Sequence, residues 1–263
     1  MALTFQNLFD LFDDIADEIF AIVEDLSDSD RLKKGIESGH YFIDEIAQEI
    51  VEKHLYGRGA QIISEEAKFI ENYDLDSNDS KEFVGLTFVV DPIDGSSNAS
   101  RGLSDWSFSI LVKQDGLPWL SFVKHGVTKQ KFLAIKGKGA FINEVNNVNR
   151  IAKPDLGERG DLFISFCRES KKEHPLERFL GSISTDLLGL SNKHRILGSA
   201  SIAISYVATG TMDIYSHGGF YLYGWDCLAA LLFAQEAGCI IDIDGKNSID
   251  NLAGDERFLV NVY

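Results

Sequence analysis

The stretch that constrains this chain most runs from Glu82 to Ser97, EFVGLTFVVDPIDGSS. Its first part is nearly continuous in apolar residues, the pattern of a strand buried on both faces. Such a strand needs cover above and below, which calls for a layered fold. The run then ends on acid. Val89 and Val90 are expected to close the strand and leave Asp91 at its end. Pro92 bars further ladder bonding from its own nitrogen. Asp94 follows one tight turn later, and Gly95 permits a backbone angle or a close ligand approach that other residues resist. Gly95, Ser96 and Ser97 would then open a turn or helix start whose outward N–H groups suit phosphate. Two carboxylates so close repel by about 4 kcal/mol at ~4 Å and an effective dielectric of ~20. A proton would offset that cost, and a hard divalent cation suits oxygen ligands better. The alternative is an Asp-Pro turn with a solvated cap.

Two other stretches add acid near strand and helix ends. AQIIS reads as a short strand running into Glu65 and Glu66. LYGWDCLAALLFAQEAG places Asp226 at the start of a helix, where an N-cap role and a metal role are compatible. Elsewhere the apolar residues Phe5, Leu8, Phe12, Ile15, Ile19, Ile22 and Leu26 recur at helical spacing, opposite a solvated acidic face of Asp10, Asp13, Asp14, Asp17 and Glu18. SDSDRLKKGIESG reads as a loop. A second helix is expected near Phe42–Leu55, with Ile43, Ile46, Ile50 and Leu55 inward. NYDLDSNDS is a polar surface excursion. WSFSILVK, PWLSFVKHGV and QKFLAIKGKGAFIN read as antiparallel strands with glycine turns. Past RIAKPDLGERG come a strand DLFISFC, a small-residue helix ASIAISYVATG ended by Gly210, a strand MDIYSHG, the helix after Trp225 and a strand CIIDIDG. The expected organisation is two layered halves, 1–145 and 146–263, without a flexible linker.

A chain of 263 residues can bury a substantial core, but its formal charge of −16 disfavours nucleic acid and anionic membrane as partners. No basic cluster reverses that sign, and no apolar run is long enough to cross a bilayer. The first thirty residues hold no lysine or arginine, so a charged secretory start is not expected. The three cysteines, Cys167, Cys227 and Cys239, lack metal-ligand spacing and read as reduced thiols of a cytoplasmic protein.

DPIDGSSN resembles the Asp-Pro-Ile/Leu-Asp-Gly-Thr/Ser signature of the inositol monophosphatase family. GWDCLAALLFAQEAG is similar to that family's second signature, SEE to its Gly-Glu-Glu, and RILGSASIAISYVATGTMDIY to the segment before the second signature. The resemblance spans about Asp44 to Gly245. It implies a magnesium-dependent phosphomonoesterase on an α-β-α-β-α sandwich of the inositol monophosphatase and fructose-1,6-bisphosphatase type, an α/β layered fold, usually a homodimer.

By that resemblance Glu65, Asp91 and the carbonyl of Ile93 would hold one Mg²⁺. Asp91, Asp94 and Asp226 would hold a second, with a third ion or Mn²⁺ as variants. Phosphate would rest on the Gly95 and Ser96 amides. Ser96, in the family's threonine position, and Asp44 would orient and deprotonate the attacking water. Gly198, Ser199 and Ala200 look like the substrate-side turn. Apart from the resemblance, Arg168 and Arg195 would reach a second phosphate, helped by Lys171 and Lys172, since guanidinium matches phosphate oxygens, or else stand in surface salt bridges. Lys33 and Lys34 would gate the site or serve as surface charge.

Asp44 lies in SGHYFIDEIAQE, which looks more like the archaeal enzymes that act on both inositol phosphate and fructose 1,6-bisphosphate. Ser216 stands where a carboxylate that reads inositol hydroxyls is expected, and the run to Trp225, with Tyr221 and Tyr223, is longer. The expected substrate is a small sugar or polyol phosphate. The alternatives are a 3′(2′),5′-bisphosphate nucleotidase and, outside catalysis, a metal-binding regulatory module on the same fold. The six histidines are expected to be structural.

Overall fold

The computed structural model describes residues 3–35, 40–66, 70–71, 81–154, 162–166, 193–217 and 221–263. Helices α1 (Phe5–Asp25), α2 (Asp28–Arg31) and α3 (Phe42–Leu55) precede β1 (Gln61–Ser64), β2 (Ile70–Glu71) and β3 (Leu86–Asp94). After a four-residue helix α4 (Ser96–Ala99) come β4 (Ser107–Gln114), β5 (Leu117–His125), β6 (Lys131–Ile135), β7 (Gly139–Ile142) and β8 (Arg150–Ile151). The later described elements are β9 (Phe163–Phe166), β10 (Lys193–Ile196), α5 (Ala200–Ala208), β11 (Ile214–Ser216), β12 (Leu222–Tyr223), α6 (Gly224–Ala237), β13 (Ile241–Ile243), β14 (Arg257–Phe258) and β15 (Val260–Val262).

The first sheet has the order β2-β1-β3-β4-β5-β6-β7-β8, with only the β1–β3 pair parallel. The second has the order β10-β9-β11-β15-β13, and β12 pairs with β14. One face of the first sheet meets α1 and α3, through Phe12, Val51, Phe88 and Phe122 among others. The opposite face supplies Val89, Leu111 and Val123 to a core shared with α5 and α6. The layers therefore run helix, sheet, helix, sheet, the architecture that a strand buried on both faces demanded. The last helical layer expected from the resemblance falls outside the described residues.

Helix α6 explains why the layers close. Its residues from Cys227 to Ala234 are all buried, apolar around the full circumference, so it can sit only between two layers. Its C-terminus is set by Gly238 at φ 93°. Helix α1, by contrast, is one-sided. Leu8, Phe12, Ile15 and Ile19 face the core as expected, but Phe9, Ala16, Phe20 and Val23 share that face, while Ile22 is only partly covered. The stripe is rotated because aromatic rings at Phe9 and Phe20 fill space against Phe122 and Trp106, at centroid distances of 6.4 and 4.9 Å. Part of the acidic face is not merely solvated. Asp13 and Asp17 take the buried Lys124 ammonium at 2.5 and 2.6 Å, and Glu18 pairs with Lys53 and His54.

Several boundaries differ from expectation. The loop after α1 contains α2, capped by Ser27. Ile46 of α3 is only partly buried, and Ala47 and Val51 take its place inside. Strand β3 starts later, at Leu86, and passes through Asp91 to Asp94 by way of a bulge. The NYDLDSNDS excursion and part of the DLFISFC strand lie outside the described residues.

Phe12 is fully buried and packs edge-on against Phe88 and Phe122 at 5.9 and 6.1 Å. Phe12→Ala is expected to lower unfolding free energy by about 3–5 kcal/mol, through lost transfer energy and the cavity left behind. Denaturant midpoints of the two proteins check this.

Candidate active site

The bulge in β3 is where the acids gather. Ile93 N–H donates to Asp91 Oδ1 at 3.0 Å, which locks the Asp-Pro-Ile turn. Gly95 then adopts φ 88°, ψ 35°, and a Cβ there would lie 3.0 Å from Asp105 O and 3.2 Å from Ser199 Cβ. Only glycine fits this corner. In α4 the first amides to bond back are Asn98 and Ala99, both to Gly95 O at 2.8 and 3.1 Å. The Ser96 and Ser97 amides thus precede the helical ladder.

Asp91 lies beside β1, whose end carries Glu65 and Glu66. The register Ser64↔Val90 puts Glu65 next to Asp91. Asp226 comes from the far side of the sheet. It is the third residue of α6 rather than its cap, and its Oδ2 accepts Tyr223 N–H at 3.0 Å. A strap formed by Ala253 to Glu256 brings it into place. Gly224 and Trp225 donate to Glu256 O and Gly254 O at 2.9 and 3.1 Å, and Gly254 lies directly on Val89 and Ile63. One ligand atom from each of Glu65, Asp91 and Asp226 then lies within 4.8 Å of the others.

These carboxylates are short of compensation. Burial, then the charges of Glu65, Asp94, Asp226 and Glu66, push the Asp91 carboxyl well above its usual range. Glu66 is driven up by burial and by Glu65 and Asp44, and its Oε2 has no hydrogen-bond partner. Asp94 is raised by burial despite bonds from Ser199 and Ser201. Oxygen donors in this number and spacing fit a hard divalent cation, which would supply the missing positive charge.

Asp94 faces the same cavity, of ≈ 260 Å³, but its Oδ2 is engaged by Ser199 Oγ at 2.6 Å, Ser201 N at 2.8 Å and Ser201 Oγ. It stands outside the tightest cluster and ties β3 to the N-terminus of α5. Ser199 caps that helix, accepting from Ile202 N at 3.3 Å. Gly198 and Ala200 line the cavity beside it. Asn98, which sequence reasoning passed over, donates to Asp105 O and Leu197 O at 2.6 and 2.7 Å and so holds this turn against α4.

Asp44 is the third residue of α3 and accepts Tyr41 N–H through Oδ2 at 2.7 Å. Burial raises its pKa to about 7, with Glu65 adding to the rise and Ser96 opposing it. Its Oδ1 has no partner within hydrogen-bonding distance, although Ser96 stands close enough to favour the ionised form.

Not every expected residue joins them. Arg195 is exposed, donates to its neighbour's carbonyl at 2.9 Å and lies over the Phe163 ring, so it does not line the cavity. Lys33 pairs with Asp30, and Lys34 sits 3.5 Å above the Tyr41 ring. Arg168, Lys171 and Lys172 lie outside the described residues. Ser216 turns into the second sheet, donating to Asn261 Oδ1 at 2.7 Å. Its neighbour His217 lines the cavity instead, together with Tyr221 and Tyr223. His217 is buried, its Nδ1 meets Tyr215 Oη at 3.2 Å, and its Nε2 has no partner. Burial lowers its pKa to about 4, so it is neutral at neutral pH. The alternation along β11 was the available signal: it sends Ser216 and His217 to opposite faces.

A Cβ on Gly224 would lie 2.6 Å from Ala253 O and 2.7 Å from Gly254 O, both backbone atoms. Alanine is the better helix former by about 1 kcal/mol. Here Gly224→Ala is nevertheless expected to destabilise by about 1–3 kcal/mol, as overpacking does. It should also shift Asp226 and weaken any stabilisation by an added divalent cation, which thermal melts with and without the ion would read.

A model of the inositol monophosphatase family matches residues 29–261. Among curated relatives, the fructose-1,6-bisphosphatase/inositol-1-monophosphatase of Methanothermobacter thermautotrophicus is 31% identical over 209 residues, covering 74% of this chain and 67% of that protein. The Nus factor SuhB of Haemophilus influenzae is 30% identical over 188 residues, covering 71% of this chain and 64% of that one. A solved structure of Pyrococcus horikoshii, a hypothetical protein described as having similarities to inositol-1 monophosphatase, superposes with a TM-score of 0.76 at 23% identity, covering 98% of this chain and 91% of that one. The described fold, the metal-fitting carboxylates and these matches agree: the chain belongs to the inositol monophosphatase family and is a phosphatase of that family.

Proposed function

We propose that the protein is a Mg²⁺-dependent phosphomonoesterase of small sugar or polyol phosphates, with inositol 1-phosphate and fructose 1,6-bisphosphate as substrates. The observation that carries this reading is the Glu65, Asp91 and Asp226 cluster, its atoms within 4.8 Å, set against the Gly95–Ser96 turn. The Methanothermobacter thermautotrophicus relative is named for both activities. Glu65, Asp91 and the Ile93 carbonyl would hold one Mg²⁺, and Asp91, Asp94 and Asp226 a second, with Mn²⁺ able to replace them. When bound, such a pair supplies charge for the phosphoryl oxygens and lowers the pKa of water.

The chain's own groups do the rest. The Gly95 and Ser96 amides orient the phosphate. Ser96 Oγ would accept the proton of the attacking water as it passes its own to Asp44, and a carboxyl that burial raises to about 7 is well matched as the final acceptor. His217, Tyr221 and Tyr223 border the alcohol part of the ester. A homodimer in the cytoplasm completes the reading. Buried, unpaired Cys227 and Cys239 suit a reducing compartment, and no described helix is long and apolar enough to cross a membrane.

The Nus factor name of the Haemophilus influenzae relative raises a non-catalytic role. The complete set of Asp44, Glu65, Asp91, Asp94 and Asp226 favours turnover instead, because a binding module has no use for a proton acceptor beside its metal ligands.

A turnover panel of inositol 1-phosphate, fructose 1,6-bisphosphate and adenosine 3′,5′-bisphosphate, with Mg²⁺ and with excess chelator, tests the reading. The first two are expected within about tenfold of each other in kcat/KM, a gap of about 1.4 kcal/mol. Full activity in chelator would sink the metal site, and turnover of the nucleotide alone would move the substrate class. Mg²⁺ should raise the melting temperature by mass action. Asp91→Asn should abolish both that rise and the activity.

Ser96→Ala should separate chemistry from binding. Its kcat is expected to fall by about a hundredfold, the usual scale for positioned proton transfer, while the Mg²⁺-induced rise in melting temperature persists. Unchanged kcat would remove Ser96 from the reaction.

A further inference from the structure

Asp44 and Ser96 come from different elements, α3 and α4, so something must fix the distance between them. The backbone of Tyr41 holds Asp44, its N–H donating to Oδ2 at 2.7 Å. The Tyr41 hydroxyl accepts a hydrogen bond from Arg101 Nη1 at 3.0 Å. The same nitrogen donates to Ser97 O at 3.2 Å, in the first turn of α4. One guanidinium nitrogen thus joins the residue that anchors Asp44 to the residue that follows Ser96. The Lys34 ammonium, 3.5 Å from the ring centroid, covers one face of Tyr41. Tyr41 is buried and Arg101 is exposed, and neither lines the cavity.

We propose that Arg101 and Tyr41 form a brace that sets the spacing of Asp44 from Ser96, and that both are positioning residues for proton transfer at the Ser96 hydroxyl. The proposal rests on the roles given to Asp44 and Ser96 above. A shift of about 1 Å in such a pair is enough to cost on the order of 100-fold in rate. The brace is charge-assisted, which makes it stronger than a neutral pair. The groups facing the Tyr41 hydroxyl are Arg101, Lys34 and the hydroxyls of Ser97 and Ser100, while Asp44 engages the backbone end of the residue. Arg101 leads in drawing the phenol down to about 8.

Two readings test the brace, one kinetic and one spectroscopic. Tyr41→Phe keeps the ring and the backbone amide, and Arg101→Ala alters an exposed side chain. With inositol 1-phosphate at saturating Mg²⁺, each is expected to lower kcat about tenfold with KM within about threefold. The double variant should fall no further, because both changes break one link.

In the metal-free protein, ultraviolet absorbance should show one tyrosine ionising near pH 8. That step should vanish in Tyr41→Phe and move up to the ordinary tyrosine range in Arg101→Ala. Unchanged kcat in both single variants, losses that multiply in the double variant, or no early tyrosine would each overturn the brace. Those results would leave the proposed function standing. A wild-type protein that hydrolyses none of the esters would overturn that function, and the brace's role with it.

Discussion

Acids gathered this closely repel one another, and in the described structure backbone amides hold four of them. Tyr41 N holds Asp44, Ile93 N holds Asp91, Ser201 N holds Asp94 and Tyr223 N holds Asp226, at 2.7, 3.0, 2.8 and 3.0 Å. Three of the four contacts use a helix start. Asp44 and Asp226 are each the third residue of their own helix, and Asp94 docks onto the start of α5. A helix N-terminus carries unsatisfied N–H groups and partial positive charge, so a carboxylate there is both positioned and stabilised. Neutral amides do not cancel full charges, however, and Asp91 remains far above its usual range. The scaffold orients the acids and leaves the charge balance to a ligand.

That arrangement depends on packing far from the acids. Helix α6 is apolar on all sides and is fixed between the sheets before any question of Asp226 arises. The Gly224 and Gly254 contacts bring its first turn against the face of the β1–β3 pair. Asp226 therefore reaches Asp91 because glycines at the start of the helix and in the strap let the two approach closely. The cage is a consequence of core packing, and its precision is that of a core, where displacements of one methyl group are resisted.

The sequence made much of this legible, for physical reasons. Continuous apolar strands and all-apolar helices announce layers, and the acid-Pro-x-acid-Gly turn announces a strand end that opens on a cavity. The turn from Asp91 to Gly95 could be read because its geometry is local to one stretch of chain. What could not be read was set by distant contacts. Asp94 is drawn onto Ser199 and Ser201, over a hundred positions away. Ile22 of α1 lost its place to Phe9 and Phe20 because ring packing with Phe122 and Trp106 chose the rotation. Arg195 was credited with a phosphate on the strength of its charge, yet it lies on Phe163. His217 lines the cavity although its sequence neighbour Ser216 does not, a difference that only the alternation of the strand could have signalled.

The rim of the cavity bears on selectivity. Its described residues are two phenols, Tyr221 and Tyr223, and His217, which burial keeps neutral at neutral pH. Ser216, the position where a hydroxyl-reading carboxylate was looked for, has turned to Asn261. A charged acceptor discriminates strongly among hydroxyl patterns, because a substrate lacking the right hydroxyl leaves it buried and unpaired. A neutral imidazole and two phenols impose a smaller penalty, since neutral hydrogen bonds are worth about half as much as charged ones. On the proposed function, recognition would fall mainly on the phosphate, at the Gly95 turn and at a cation held by the acids. An enzyme built this way would separate phosphate esters from non-esters sharply, and one polyol from another only weakly.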